Sequence, residues 1–303
     1  MLLIINVRAQ LPIDGIHYPV GLAGIKGGSL PNTGIYFRDD NLSYYGTSAD
    51  LPAFKEFVYL QAPDLMWMTG FKILGANYGM DVMVPVIDKH TDYKEVISGG
   101  PPTMSSISGN RFGIGDIKIE PILLSWHLQR FDITAGYAIW APTGSFHTNQ
   151  DEMNLGDGVA THMITLGGVW YIDPKKTWAV SILNHYELNS QIPGGYTMFT
   201  PNNNPITPPE TLHSSTYSLE WGVSKTICGN TDLGLVGYYQ QQFIGLSQPL
   251  TPFSNPKVAG IGPEIDTQIP KWGLSFSLRY NYEFFADNRP RGHTIDLSLV
   301  KRF

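Results

Sequence analysis

The chain has 303 residues, of which 42% are apolar, 12% aromatic and 15% charged, with 32 Gly and 22 Pro. Charge so far below the roughly 25% of ordinary soluble domains is replaced by neutral polar residues, which suit a water- or ligand-filled barrel interior. A net charge of −6 without a basic cluster argues against nucleic acid, which needs concentrated Lys and Arg, and a lone cysteine, Cys228, rules out a disulfide framework or Cys-based zinc site.

Residues 1–10, Met1-Leu2-Leu3-Ile4-Ile5-Asn6-Val7-Arg8-Ala9-Gln10, have the apolar run and small-residue end of a secretory signal but no basic start. They are read as a signal-peptide remnant, with a stray first strand as the alternative. Residues 11–34 are Gly-rich, including Gly21, Gly24, Gly27 and Gly28. Their spacing fits neither a phosphate loop nor a dinucleotide fingerprint, so an extended segment is expected, a candidate to pack in a lumen.

Residues 35–303 read as about twelve strands: Ile35 to Tyr45, Leu60 to Leu74, Asn77 to Ile87, Phe112 to Leu128, Arg130 to Trp140, Thr161 to Ile172, Thr177 to Leu188, Ser215 to Thr226, Asp232 to Phe243, Val258 to Gln268, Trp272 to Phe285 and Thr294 to Phe303. Apolar and polar residues alternate within them, as two-faced strands require. In Thr294 to Phe303, Ile295, Leu297 and Leu299 alternate with Asp296 and Ser298; Phe131, Ile133, Ala135, Tyr137 and Ile139 alternate with Asp132, Thr134 and Gly136.

Connections take turns in length. Short links at Gly75-Ala76, Gln129, 173–176, 227–231 and 269–271 alternate with long ones at 46–59, 88–111, 141–160, 189–214, 244–257 and 286–293. That is the pattern of an outer-membrane up-and-down barrel, with short periplasmic turns and long outer loops. An even strand count with short turns after even strands then puts both termini in the periplasm. No apolar run approaches the roughly 20 residues of a spanning helix, so strands would carry the crossing. A barrel of about twelve strands is too wide for side chains to fill, so the apolar faces are expected to meet lipid. Trp140, Tyr171, Trp178, Trp272 and Tyr282, near segment ends, are assigned to interfacial girdles.

Charged residues inside strands would then face the lumen, because Lys or Arg toward lipid costs up to roughly 2–4 kcal/mol at the midplane. The lumen-lining candidates are Asp116, Lys118 and Glu120, Arg279 and Glu283, and Asp296 and Arg302. They either form a charge-selective constriction or pair across strands to stiffen the wall. Leu183, Val236, Tyr238 and Phe285 fall in the same inward phase and would add apolar patches.

Eight histidines lie far apart, none paired at metal-ligand spacing, so no metal or other cofactor is expected. No Gly-x-Ser-x-Gly turn nominates a nucleophile, so an enzyme is not expected; only Ser, His and acid converging from neighbouring strands would revive one.

Several motifs resemble one known family. Leu30-Pro31-Asn32-Thr33-Gly34-Ile35-Tyr36, Gly113-Ile114-Gly115-Asp116, Ala141-Pro142-Thr143-Gly144-Ser145-Phe146, Gly237-Tyr238-Tyr239-Gln240-Gln241-Gln242, Gly262-Pro263 and Asn288-Arg289-Pro290-Arg291-Gly292 occur in the order seen in the outer-membrane family labelled putative MetA-pathway of phenol degradation. The resemblance implies a bacterial outer-membrane barrel that passes small hydrophobic or aromatic compounds, with no catalytic set to carry over. It also gives Phe303 the place of the terminal aromatic that the barrel-assembly machinery recognises. The expectation is therefore an all-β transmembrane barrel, in contact with outer-membrane lipid, acting as a passive channel. The alternatives are a structural or adhesive barrel working through its long loops, and an outer-membrane hydrolase.

Overall fold

The computed structural model describes residues 16–47, 54–97, 103–147, 154–190, 198–199, 205–206, 213–245 and 255–303. The signal-remnant reading of 1–10 falls outside them. The strands are β1 (Gly34–Thr47), β2 (Lys55–Ile73), β3 (Ala76–Met83), β4 (Val86–Ile97), β5 (Thr103–Ile114), β6 (Ile117–His127), β7 (Phe131–Ala141), β8 (Thr161–Tyr171), β9 (Trp178–Asn189), β10 (Met198–Phe199), β11 (Pro205–Ile206), β12 (His213–Thr226), β13 (Thr231–Gly245), β14 (Lys257–Ile269), β15 (Leu274–Asp287) and β16 (Arg291–Arg302). Twelve of them, β1, β2, β3, β6 to β9 and β12 to β16, pair antiparallel in a ring, and β1 closes it by pairing with both β2 and β16. Closure satisfies every edge, which a barrel in hydrocarbon must do.

The short links are tight turns. Between β2 and β3, Leu74 and Gly75 both have positive φ, 51° and 80°, the left-handed pair whose twist matches a two-residue hairpin. Between β14 and β15 the chain makes one 3₁₀ turn, Pro270–Trp272, closed by Gly273 at φ 60°. Trp272 therefore belongs to a turn, not to the strand expected to begin there, because Pro270 removes a ladder donor and fixes the backbone for a turn.

The expected long loop 88–111 is corrected. Over its described part it is a hairpin, β4 paired with β5 from Val86↔Ile114 to Ile97↔Thr103. β4 continues β3 and β5 leads into β6, with interruptions at Val84-Pro85 and Gly115-Asp116 that face each other through the Gly115 N–H to Pro85 C=O bond of 2.9 Å. β4 also pairs with the first half of β2, while β5 pairs with β4 alone. A hairpin that extends past the ring, held to it through β4 and β2, has no need of a continuous lipid-facing stripe, so its charged sequence hid it.

Apolar side chains face outward. Ile295 and Leu297 are 53% and 50% exposed while Asp296 between them is 1% exposed, a reversal of soluble-protein burial that only lipid stabilises. Trp178, Trp272 and Tyr282 are exposed at the wall's ends, but Trp140 and Tyr171 are buried and are not girdle residues. They share the inward phase of Asp132, Thr134 and Thr161. Phe285 also departs from expectation: a register shift at Ala259/Gly260 against β15 puts Phe284 and Phe285 both on the exposed side, whereas Leu183, Val236 and Tyr238 are buried. On β1 the outward phase carries Asp39, Asn41 and Ser43. Asp39 accepts a hydrogen bond from Gln61 (3.0 Å) and Asn41 one from Tyr59 (2.7 Å).

Candidate functional site

Residues 16–33 precede the first strand, make no ladder pairing, and climb the inside of the barrel. Ser29 bonds Asp132 near the short-turn end of β7, and His17 bonds Asp116 beside the long-connection end of β6. The described chain thus begins and ends at opposite ends of the barrel. An extended segment without strand partners leaves N–H and C=O groups that must be satisfied, and the wall supplies them. Glu187 accepts from the N–H groups of His17 and Tyr18 (3.1 and 3.0 Å), Glu220 from Ala23 (3.0 Å) and Glu264 from Ile25 (3.1 Å). Arg38 donates to the Leu22 carbonyl, Arg279 to that of Gly21 and Gln240 to that of Tyr18. Space is made as well. A Cβ at Gly222 would lie 2.7 Å from the Ile25 Cα, and one at Gly28 only 2.4 Å from the Gly168 carbonyl oxygen.

The lumen-lining candidates do not form one ring. Arg279 is buried, with Nε 2.7 Å from Glu264 and Nη1 3.0 Å from Asp296. Lys118 centres a second cluster, 3.0 Å from Asp81, 3.1 Å from Glu120 and 3.4 Å from Asp64. None of those four bonds the segment 16–33. Their strands carry successive register shifts, at Met68/Lys72, Gly79/Asp81 and Ile119/Ile122. Glu283 stands elsewhere, accepting from Tyr238 (3.1 Å), Tyr44 (3.3 Å) and the Gly292 N–H (2.6 Å). Arg302 is exposed at the short-turn mouth, donating to the Thr33 carbonyl at 3.2 Å. Its strand has already run past the lumen there, so phase alone does not bury it.

Asp116 lies in the bend between β5 and β6, outside the strands. Burial opposes its charge, but hydrogen bonds from His17 and from the N–H groups of Asp157 and Gly144 outweigh it and hold the carboxyl below the usual Asp range. The other nitrogen of His17 is 3.3 Å from Asp157. His17, Asp116 and Asp157 come near enough to suggest cation ligands. Asp116, however, spends its acceptor sites on three N–H donors, so the trio is an anchor for the top of the segment.

Above the segment, at the long-connection end, is a cavity of about 280 Å³. Tyr18 and Val20 form its floor, Leu42, Tyr44, Val58 and Leu60 one wall, and Tyr238 the other, with Glu56, Lys89, Glu283 and Arg289 on its polar side. An apolar cavity of roughly 150 Å³ accepts benzene, so this one has room for a larger aromatic solute. Leu42 and Leu60 also belong to the buried cluster of Leu22, Ala62, Met83, Ala138, Trp140 and Met163, so the apolar lining continues downward beside the segment.

At the short-turn end, Ser125 Oγ is 3.1 Å from His127 Nε2, and His127 Nδ1 is 3.2 Å from Asp132. This is the convergence of Ser, His and acid that the sequence left open.

The family described as "Putative MetA-pathway of phenol degradation" matches residues 40–299. Among solved structures, an outer membrane channel from Pseudomonas putida F1 superposes with a TM-score of 0.65 at 12% identity, covering 91% of this chain and 97% of that one. The β domain of the Bordetella autotransporter BrkA superposes at 0.52 and 11% identity, covering 90% and 100%. At such identities the likeness is one of fold. No curated protein matches the sequence.

Proposed function

The chain belongs to the family described as putative MetA-pathway of phenol degradation, and on that footing we propose that it is a bacterial outer-membrane channel for passive uptake of small hydrophobic or aromatic compounds. The short-turn end and the C-terminus face the periplasm in this reading, and Phe303, 73% exposed at that end, is the residue offered to the assembly machinery. The observation that supports the proposal is the cavity above the segment, whose apolar wall shares Leu42 and Leu60 with the apolar cluster around Leu22. Leu42 and Leu60 line the cavity opposite its charged side and lead on to Leu22 and Met83 below. The buried carboxylates hold the segment by its backbone, and a segment so held excludes polar solutes that would need a wide aqueous path.

Proteoliposomes test this directly. The protein should raise permeability to a phenol-like solute several-fold more than to a small sugar, and Leu60→Asp should abolish the gain by placing a charge on the apolar wall. No gain for either solute would overturn the channel reading.

The second reading is a hydrolase, favoured by Ser125, His127 and Asp132. It ranks below the first because Ser125 is 1% exposed and its neighbours across β3 and β7 are ladder-paired, leaving no N–H pair for an oxyanion. Asp132 is also engaged by Ser29 and Tyr171, so the trio serves as the lower anchor of the segment. Fluorophosphonate labelling that disappears in Ser125→Ala would reverse this ranking.

A further inference from the structure

We propose that the outer face of β16, β1 and β2 at the long-connection end holds the phosphorylated headgroup of a membrane lipid, clamped between Arg291 and Lys55. In the register, Thr47 faces Arg291 on one side and Lys55 on the other. The two cations therefore stand two strand spacings apart, about 10 Å, with a hydroxyl between them. Both are exposed and in the outward phase, Arg291 with Ile295 and Leu297, Lys55 with Phe57 and Leu65. Among the described residues neither makes an ion pair or a hydrogen bond. Asp92 is in register with Lys55 but does not close on it. Two neighbouring cations at this end are engaged: Lys89 pairs with Glu56 at 3.2 Å, and Arg289 lies 3.7 Å from Glu283.

One step down the strands is a row of rings. Tyr45, 46% exposed, lies between His293 and Phe57. His293 lies tilted against Tyr282, with ring centroids 5.1 Å apart, and His90 against Phe57 at 6.2 Å. Such a girdle marks the membrane–water boundary, so the cations two residues above it stand at headgroup height. At the level of the cations, Thr47 adds a hydroxyl between them, suited to a head bearing sugar or other hydroxyl groups. Two cations flanking one hydroxyl suit a phosphate group, Arg by its paired donors and Lys as a point charge. The occupant we commit to is a phosphorylated glycolipid of the outer leaflet. This rests on the outer-membrane placement proposed above and is independent of the solute.

The test uses the full chain folded in non-ionic detergent, its folding checked by heat-modifiable gel mobility, titrated with bis-phosphorylated lipid A and followed by native mass spectrometry. One lipid should bind per chain. Lys55→Ala with Arg291→Ala should weaken binding about tenfold or more, as loss of charge-assisted hydrogen bonds implies. Lys55→Arg with Arg291→Lys should retain it, and Lys225→Ala with Lys301→Ala, at the other end, should not affect it. Dephosphorylated lipid A should bind wild type at least tenfold more weakly, an arm that needs no variant. Equal binding of the two lipids, or of wild type and the double alanine variant, would overturn the site. Inorganic phosphate competing on equal terms with lipid A would overturn the lipid as its occupant. A solute-transport failure with lipid binding intact would leave this site standing while removing the channel reading.

Discussion

The lumen holds two buried ion clusters of similar composition that do different things. Around Arg279, the charges reach out of the wall: Arg279 and Glu264 take a carbonyl and an N–H of the inner segment, and Asp296 steadies the guanidinium from β16. Around Lys118, the charges reach only one another. One ammonium faces three carboxylates, where three strand pairs in succession slip register. The difference teaches that inward charge in such a barrel has two separate causes, satisfying a guest backbone and holding an irregular wall.

Substitutions should separate the two. The largest effect is expected at Lys118→Ala, which strands Asp64, Asp81 and Glu120 without a cation. Removing one partner of a buried ion pair costs about 3–5 kcal/mol, so the urea midpoint of the folded, heat-modifiable band should fall clearly. If that midpoint held, the wall-holding role would be lost. Next comes Gly222→Val, whose side chain meets the Ile25 backbone. The barrel should persist while the segment is displaced, giving protease cleavage within residues 16–33 and a higher permeability to small sugars. Arg279→Ala strands Glu264 and Asp296, so it should lower the urea midpoint and also loosen the segment, which Lys118→Ala should leave seated. Identical responses at Arg279 and Lys118 would erase the distinction.

The smallest effect concerns pH. The Asp116 carboxyl is held below its ordinary value, so it binds fewer protons when folded than when unfolded. Its contribution is complete above the unfolded Asp value of about 3.9 and is lost as pH falls through the lowered folded value. Cleavage near His17 should therefore rise only below about pH 4. Asp116→Asn should show the raised cleavage at neutral pH with no further acid step.

The barrel was legible because lipid imposes a period of two on every strand and an alternation on every pair of connections. Asp116, Lys118, Glu120, Arg279, Glu283 and Asp296 were found by phase alone, and all six are buried. Phase did not say what they touch. Glu187, Glu220 and Glu264 share the same inward phase, but their role depends on His17 to Ile25 passing within reach, a contact between residues up to 239 positions apart. Arg302 shows the opposite limit: it keeps the phase but lies at the mouth, because phase carries no information about height. Ser125, His127 and Asp132 were within ten residues of one another, yet only the β6–β7 turn brings their atoms into line.

The grip on the inner segment also has a consequence for how this part of the chain can vary. Glu187, Glu220, Glu264, Arg38, Arg279 and Gln240 all hold peptide groups, which every residue possesses. The wall thus seats the segment's backbone whatever its residues, while His17, Leu22, Lys26 and Ser29 fix its position through their side chains. Substitutions that spare those side chains and keep Gly21, Gly24 and Gly28 small should leave the segment seated.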